Sequence, residues 1–132
     1  MSPWADLTCS GETMTTSAGR DLECTRTGLL EMAKSYLVNH DARDPWASPV
    51  FGNFNGMPPL YAVVGSDEVL LDDSARVVRA AGLADCDSEL RIAAGMQHVF
   101  PIWCGAFPEA ERELARMGIW IQDVAGRGNN RL

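Results

Sequence analysis

The run Leu60-Tyr61-Ala62-Val63-Val64-Gly65 restricts the fold of this chain more than any other stretch. It is too short for a buried helix and does not alternate as a half-buried strand would, so it reads as a parallel strand covered by helices on both sides. Asp72-Asp73 and the apolar positions Ala75, Val78 and Ala81 follow, with Gly82 as a stop. Acidic residues in a first turn complement the helix dipole and glycine ends a helix, so this stretch is expected to be helical. From Ser88 to Ala93, Leu90 and Ile92 alternate with Glu89 and Arg91, which suits a second strand nearer an edge. The fold class is therefore α/β, built on a β-α-β unit.

The flanking segments are read the same way. Residues 1–25 are polar and turn-rich. Leu29, Ala33, Tyr36 and Leu37 then share one helical face, with Thr25 as cap and Asn39-His40-Asp41 and Pro45 as the end. Pro45, Pro49, Pro58 and Pro59, with Gly52 and Gly56, make 44–59 an extended connector. A last helix opens at Pro108 and places Ala110, Leu114, Met117, Ile121 and Val124 on a core face. Residues 1–59 are thus loop, helix and connector, 60–125 a β-α-β-α core, and 126–132 a frayed tail.

Charge excludes one class of partner. With 11 Lys and Arg against 18 Asp and Glu the net charge is -7, and no basic cluster occurs, so no nucleic-acid partner is expected. No apolar run approaches the roughly 18 residues of a membrane span, and the start lacks the regions of a signal peptide. A cytoplasmic protein is expected. Cys9, Cys24, Cys86 and Cys104 form no C-x-x-C pair, so neither zinc nor another metal is expected, and they read as ordinary buried or half-buried thiols. Nothing points to a cofactor.

Reactive groups in parallel sheets gather beyond the carboxyl ends of the strands. Gly65-Ser66-Asp67-Glu68 follows the first strand and Gly95-Met96-Gln97-His98 the second. An acid and then a histidine on successive strand ends is the order in which α/β hydrolases supply the last two members of their triad. The bland alternatives are a structural histidine between Met96 and Val99 and acids that cap a helix. His40, at a polar helix end, reads as solvated. Ser17 in Thr15-Thr16-Ser17-Ala18-Gly19-Arg20 mimics a nucleophile elbow, but that turn needs a small residue where Thr15 stands and an apolar strand before it. It reads as a loop serine.

The strings "SPWADLT" at 2–8, "RDPWASPVF" at 43–51, "MPPLYAVVGSDEVLLDDS" at 57–74, "AAG" at 80–82, "GMQHVF" at 95–100 and "PEAERELARMGIWI" at 108–121 resemble the carboxyl-terminal part of the hormone-sensitive-lipase-like branch of α/β-hydrolase esterases. The resemblance is colinear from residue 2 to about residue 125. That family's G-x-x-[DE]-x-L pattern falls on Gly65, Glu68 and Leu70, which implies Glu68 as the catalytic acid, with Asp67 in reserve. Its G-M-x-H-x-F pattern falls on Gly95, Met96, His98 and Phe100, which implies His98 as the general base.

The family's serine elbow, G-D-S-A-G-G, and its oxyanion motif, H-G-G-G, do not occur in the sequence. The resemblance therefore implies an incomplete α/β-hydrolase fold: the last parallel strands of the sheet with flanking helices, acting on short-chain acyl esters and inactive alone. The expected partner is the missing amino-terminal half. The contrasting expectation is a non-catalytic remnant acting as a binding or assembly module. "LYAVV" carries no lysine, proline or bulge to protect an open edge, so self-association is expected. The stretch Leu83-Ala84-Asp85-Cys86-Asp87 is longer than usual for the family and is expected to bulge from the surface.

Overall fold

The computed structural model describes residues 1–129. The elements are α1 (Thr13–Thr16), α2 (Arg26–Leu37), a 3-10 turn (Pro49–Phe51), β1 (Leu60–Gly65), α3 (Leu71–Leu83), β2 (Ser88–Ala93), a second 3-10 turn (Phe100–Trp103) and α4 (Pro108–Asn129). Residues 1–99 form one compact unit, and the described residues from 100 onward form a second.

In the first unit β1 and β2 pair in parallel, with Leu60 opposite Ser88 and Gly65 opposite Ala93. Both strands have the expected bounds, and α3 makes the crossover between them. Ala62, Val63 and Val64 are at most 3% exposed, so the unalternating run does mark burial on both faces. The outer edge of β1 is less open than its residue types suggest. The Val63 carbonyl accepts from the Ser2 N–H at 2.7 Å, and the Gly65 N–H donates to the Glu68 carboxylate. The protection comes from outside the strand.

The α3 core face differs from the expected one. Asp73, Ser74, Val77 and Ala81 are buried, whereas Ala75 and Val78 are half-buried. The helix also passes Gly82 and ends at Leu83. Asp73 is a buried hydrogen-bond acceptor, holding the Ala5 and Asp6 N–H groups on one oxygen at 2.9 Å each. Asp6, fully buried, meets Arg76 of α3 at 2.7 Å and accepts from the Thr8 and Ser10 hydroxyls. Burial pushes the Asp6 carboxyl up, but the hydrogen bonds from Ser10, Thr8 and Arg76 together outweigh it and leave it well below the usual carboxylate range. Two acids thus fasten the 5–10 loop to α3.

That loop also fills the core. Ala5 packs with Phe54, Val77, Ala81 and Cys86, Cys9 with Met14, Leu29, Val69 and Leu70, and Leu7 with Ala33 and Leu37. Cys86 therefore lies in a core cluster, where its thiol also reaches the Pro58 carbonyl at 3.1 Å. The stretch from Leu83 to Asp87 lies largely at the surface, with Leu83, Asp85 and Asp87 exposed; Asp85 turns the chain with a φ of 57°, and only the Cys86 side chain follows the turn inward.

α2 begins as expected, with the Thr25 hydroxyl accepting from the Gly28 N–H, the usual N-cap bond. Leu29, Ala33 and Leu37 are buried, but Tyr36 is 69% exposed. Three buried residues at a spacing of four leave position 36 off the stripe. The connector from 44 to 59 is a series of tight turns rather than an extended segment: the Ala47 and Ser48 N–H groups donate to the Asp44 carbonyl, and the 3-10 turn follows at once.

In the second unit α4 opens at Pro108 and continues through Gly126 to Asn129. The remainder of the expected frayed tail, 130–132, lies outside the described residues. Along α4, Ala110 is buried, while Leu114 and Ile121 of the expected core face are 38% and 57% exposed. Cys104 is exposed, against the expectation of a shielded thiol, and all four cysteines are free.

Candidate functional site

Gly65 is the last residue of β1 and Ala93 the last of β2, and the loops they feed lie against each other. The Ser66 N–H donates to the Ala93 carbonyl at 2.8 Å, and the Gly95 N–H donates to the Ser66 hydroxyl at 2.8 Å. These bonds carry the parallel register beyond the strands. They bring position 68 beside position 98.

Glu68 is fully buried. Its Oε2 lies 2.9 Å from His98 Nδ1, and its Oε1 accepts from the Ser2 hydroxyl at 2.7 Å and from the Gly65 N–H. A buried carboxylate is costly unless its oxygens are paired, and here both are. The His98 side chain is 23% exposed, and among the described residues nothing hydrogen-bonds its Nε2. The hydrogen bond to Glu68 raises the His98 pKa above the ordinary value; burial opposes the rise, and the charges of Glu68, Glu23 and Asp21 add to it.

The other expected residues lie elsewhere. Asp67 is turned to Arg20, 3.5 Å from its guanidinium, and to the Ser66 hydroxyl. Ser17, in what reads as a loop, caps the short helix α1; it is 1% exposed and its hydroxyl accepts from Arg20 at 3.0 Å. His40 lines an open cleft with Tyr36, Asp44 and Trp46. The buried Cys9 and half-buried Cys24 thiols are no readier as nucleophiles. Burial raises Cys9, and burial with the charges of Asp21 and Glu23 pushes Cys24 up to about 11, so both stay protonated near neutrality. Among the described residues no group of three or more His, Cys, Asp or Glu side chains could hold a metal ion. None of the described helices is long and apolar enough to cross a membrane.

Two contacts with this site could not be assigned from the residues. Asp21 accepts from the Val69 N–H at 2.9 Å, next to the acid, and Ser2 touches the acid itself. Nothing in the order of residues signals either, since Ser2 lies 66 positions from Glu68. The string "SPWADLT" singled out the neighbourhood but no role.

A parallel β-α-β unit with a buried carboxylate and a part-exposed histidine, paired beyond the carboxyl ends of adjacent strands, has the layout of a hydrolase of the α/β class. The chain belongs to the α/β-hydrolase fold family, whose profile matches residues 1–102. It is 37% identical over 128 residues to an acetyl-hydrolase of Streptomyces hygroscopicus, a match spanning 97% of this chain and 43% of the relative. It is 36% identical to an esterase of Acinetobacter venetianus, with 87% of this chain and 38% of that protein aligned. Among solved structures, EstE5 superposes with a TM-score of 0.90 at 39% identity, covering 93% of this chain and 42% of the other. An esterase from the bacterial hormone-sensitive lipase family superposes at 0.91 with 32% identity, over 93% and 41%. The chain therefore falls among the esterases of the hormone-sensitive-lipase-like branch, and it spans about two fifths of the length of these relatives.

Proposed function

We propose that this chain supplies the acid and the general base of a carboxylic ester hydrolase that works through a serine acyl-enzyme, with Glu68 as acid and His98 as base. One observation carries the reading: a fully buried carboxylate holds Nδ1 of a histidine at 2.9 Å, and that histidine keeps part of its ring exposed. With Nδ1–H donating to Glu68, the neutral tautomer has its lone pair on Nε2. Nε2 takes the serine proton as the hydroxyl attacks the ester carbonyl, and returns it to the leaving alcohol. Glu68 holds the tautomer and stabilises the imidazolium without becoming protonated.

The serine and the oxyanion donors are to come from a segment with the G-D-S-A-G-G and H-G-G-G motifs, and the substrates are short-chain acyl esters. Without the serine there is no acyl-enzyme, and the lost oxyanion donors cost a further ~10²–10³ in rate. The chain alone is expected to be inactive. Joining it to the amino-terminal half of an esterase relative, as a fusion or by co-expression, tests the proposal. Hydrolysis of p-nitrophenyl butyrate that disappears with His98→Ala supports it; a His98→Ala fusion as active as the parent refutes it.

A further inference from the structure

We propose that Ser2 is a positioning residue for the Glu68 and His98 pair, tying the carboxylate and the backbone beside the histidine into one unit. The proposal deepens the reading of that pair given above and rests on it. Ser2 is 4% exposed and comes from neither of the loops that carry the pair. Its hydroxyl donates to Glu68 Oε1 at 2.7 Å and accepts from the Val99 N–H at 3.3 Å. Its own N–H is anchored on the Val63 carbonyl in the middle of β1 at 2.7 Å. A hydroxyl has one proton to give and lone pairs to receive, and both capacities are used here. An alanine or glycine could serve neither partner.

The geometry explains why Oε2 faces His98. Oε1 is engaged by the Ser2 hydroxyl and the Gly65 N–H, so the carboxylate is held against rotation and its second oxygen points at Nδ1. The Val99 amide, one residue past His98, is held by the same Ser2 oxygen, which limits how far the imidazole can move from the carboxylate. The backbone on both sides of this bridge is in the left-handed region, with φ 39° at Ser2 and 46° at Val99. A β-branched residue such as valine rarely adopts that conformation. Strained backbone of this kind persists where surrounding contacts over-determine it, and it clusters at functional sites.

The test uses the chain labelled with 15N-histidine and carrying His40→Gln, which leaves one imidazole. The parent is expected to show a far-downfield Nδ1–H proton from His98 and a titration midpoint above the ordinary value. Ser2→Gly deletes the hydroxyl but suits the positive φ. It is expected to lose that proton to exchange and to lower the midpoint by about half a unit or more, while amide dispersion shows the chain still folded. Ser2→Cys keeps an unbranched side chain of similar shape with a weaker donor and is expected to fall between the parent and Ser2→Gly. An unchanged proton and midpoint in Ser2→Gly overturn the role of Ser2 alone, as does a Ser2→Cys no different from Ser2→Gly. Ser2→Gly unfolding while Ser2→Cys folds makes Ser2 a general structural residue and also overturns the proposal. A parent without the downfield proton sinks the reading of the pair itself. No ester turnover enters the measurement.

Discussion

The α-carbon of Gly65 lies against the backbone carbonyl of Met96 so closely that a β-carbon at position 65 would stand 1.9 Å from the oxygen and 2.4 Å from the carbon. Gly65 ends β1 and begins the acid's loop, and Met96 is two residues before His98. Their contact is where the two loops of the site meet, and only a residue without a side chain permits it.

Gly65→Ala must therefore push the two loops apart. Backbone atoms cannot yield as a side-chain tip can, so a loss of about 3 kcal/mol in stability is expected, at the upper end for overpacking. The Glu68 to His98 bond should loosen with it. Urea unfolding of the variant checks the first effect, and the His98 titration midpoint the second. An unchanged denaturation midpoint would contradict the contact.

In a fusion that restores the serine half, Glu68→Gln should lower kcat by about 10²–10⁴-fold, because a neutral amide no longer stabilises the imidazolium. Asp67→Asn should cost little, since Asp67 faces Arg20 and Ser66. Rates of p-nitrophenyl ester hydrolysis for both variants decide between them. The reverse ranking would move the role of the acid to Asp67.

The base must be neutral to accept a proton, and the hydrogen bond it donates to Glu68 raises the His98 pKa. Activity of the fusion should therefore rise with pH along a limb set by a pKa above 6.5. Glu68→Gln should move that limb to lower pH while lowering its plateau. For stability the sign is opposite. A raised histidine pKa contributes stability that is fully present below the unfolded value and is lost as pH rises through the folded one. His98→Ala should flatten that part of the profile of denaturation midpoint against pH.

Asp73 offers a second pH test. Burial, only partly offset by the Ala5 and Asp6 N–H groups, pushes its carboxyl up to about 6, and its Oδ1 is buried without a hydrogen-bond partner among the described residues. A carboxyl raised in the folded state favours folding while protonated, and this contribution is lost as pH rises from about 3.8 through about 6. Asp73→Asn should flatten the stability profile in that window, by an amount on the order of 2–3 kcal/mol. A parallel offset at all pH values would count against the assignment.

Ser17 is 1% exposed, and its hydroxyl is held by Arg20 rather than by a base. A fluorophosphonate probe should leave the chain unlabelled. Intact-mass measurement after incubation is sufficient, and a covalent adduct mapped to Ser17 would make it a nucleophile after all.

Made alone, the chain should self-associate. Met32 and Tyr36 on α2 and Ile119 and Ile121 on α4 are each more than half exposed, and such apolar faces favour association. The β1 edge contributes less than its residue types suggest, because Ser2 and Glu68 occupy it at Val63 and Gly65. Sedimentation over a range of concentrations should show dimers or larger species, relieved by co-expression with the amino-terminal half of an esterase relative. A compact monomer that unfolds cooperatively at high concentration would overturn this and favour a stand-alone module.

The β-α-β unit is legible in the order of residues alone, because local patterns report burial. An unalternating apolar run, an acidic helix start and a strand of mixed faces mark β1, α3 and β2 without reference to anything distant. Placing an acid and a histidine after those two strands then follows from a parallel sheet, whose strand ends lie side by side. Features that depend on contacts across the chain emerge only in the folded molecule. The turning of Asp67 to Arg20, the burial of Asp73, the exposure of Tyr36, and the bridge from Ser2 each turn on a partner that local periodicity cannot show. A helical or strand period tells which side of an element faces inward. It is silent on which atom waits there, and a buried polar group is settled by that atom alone.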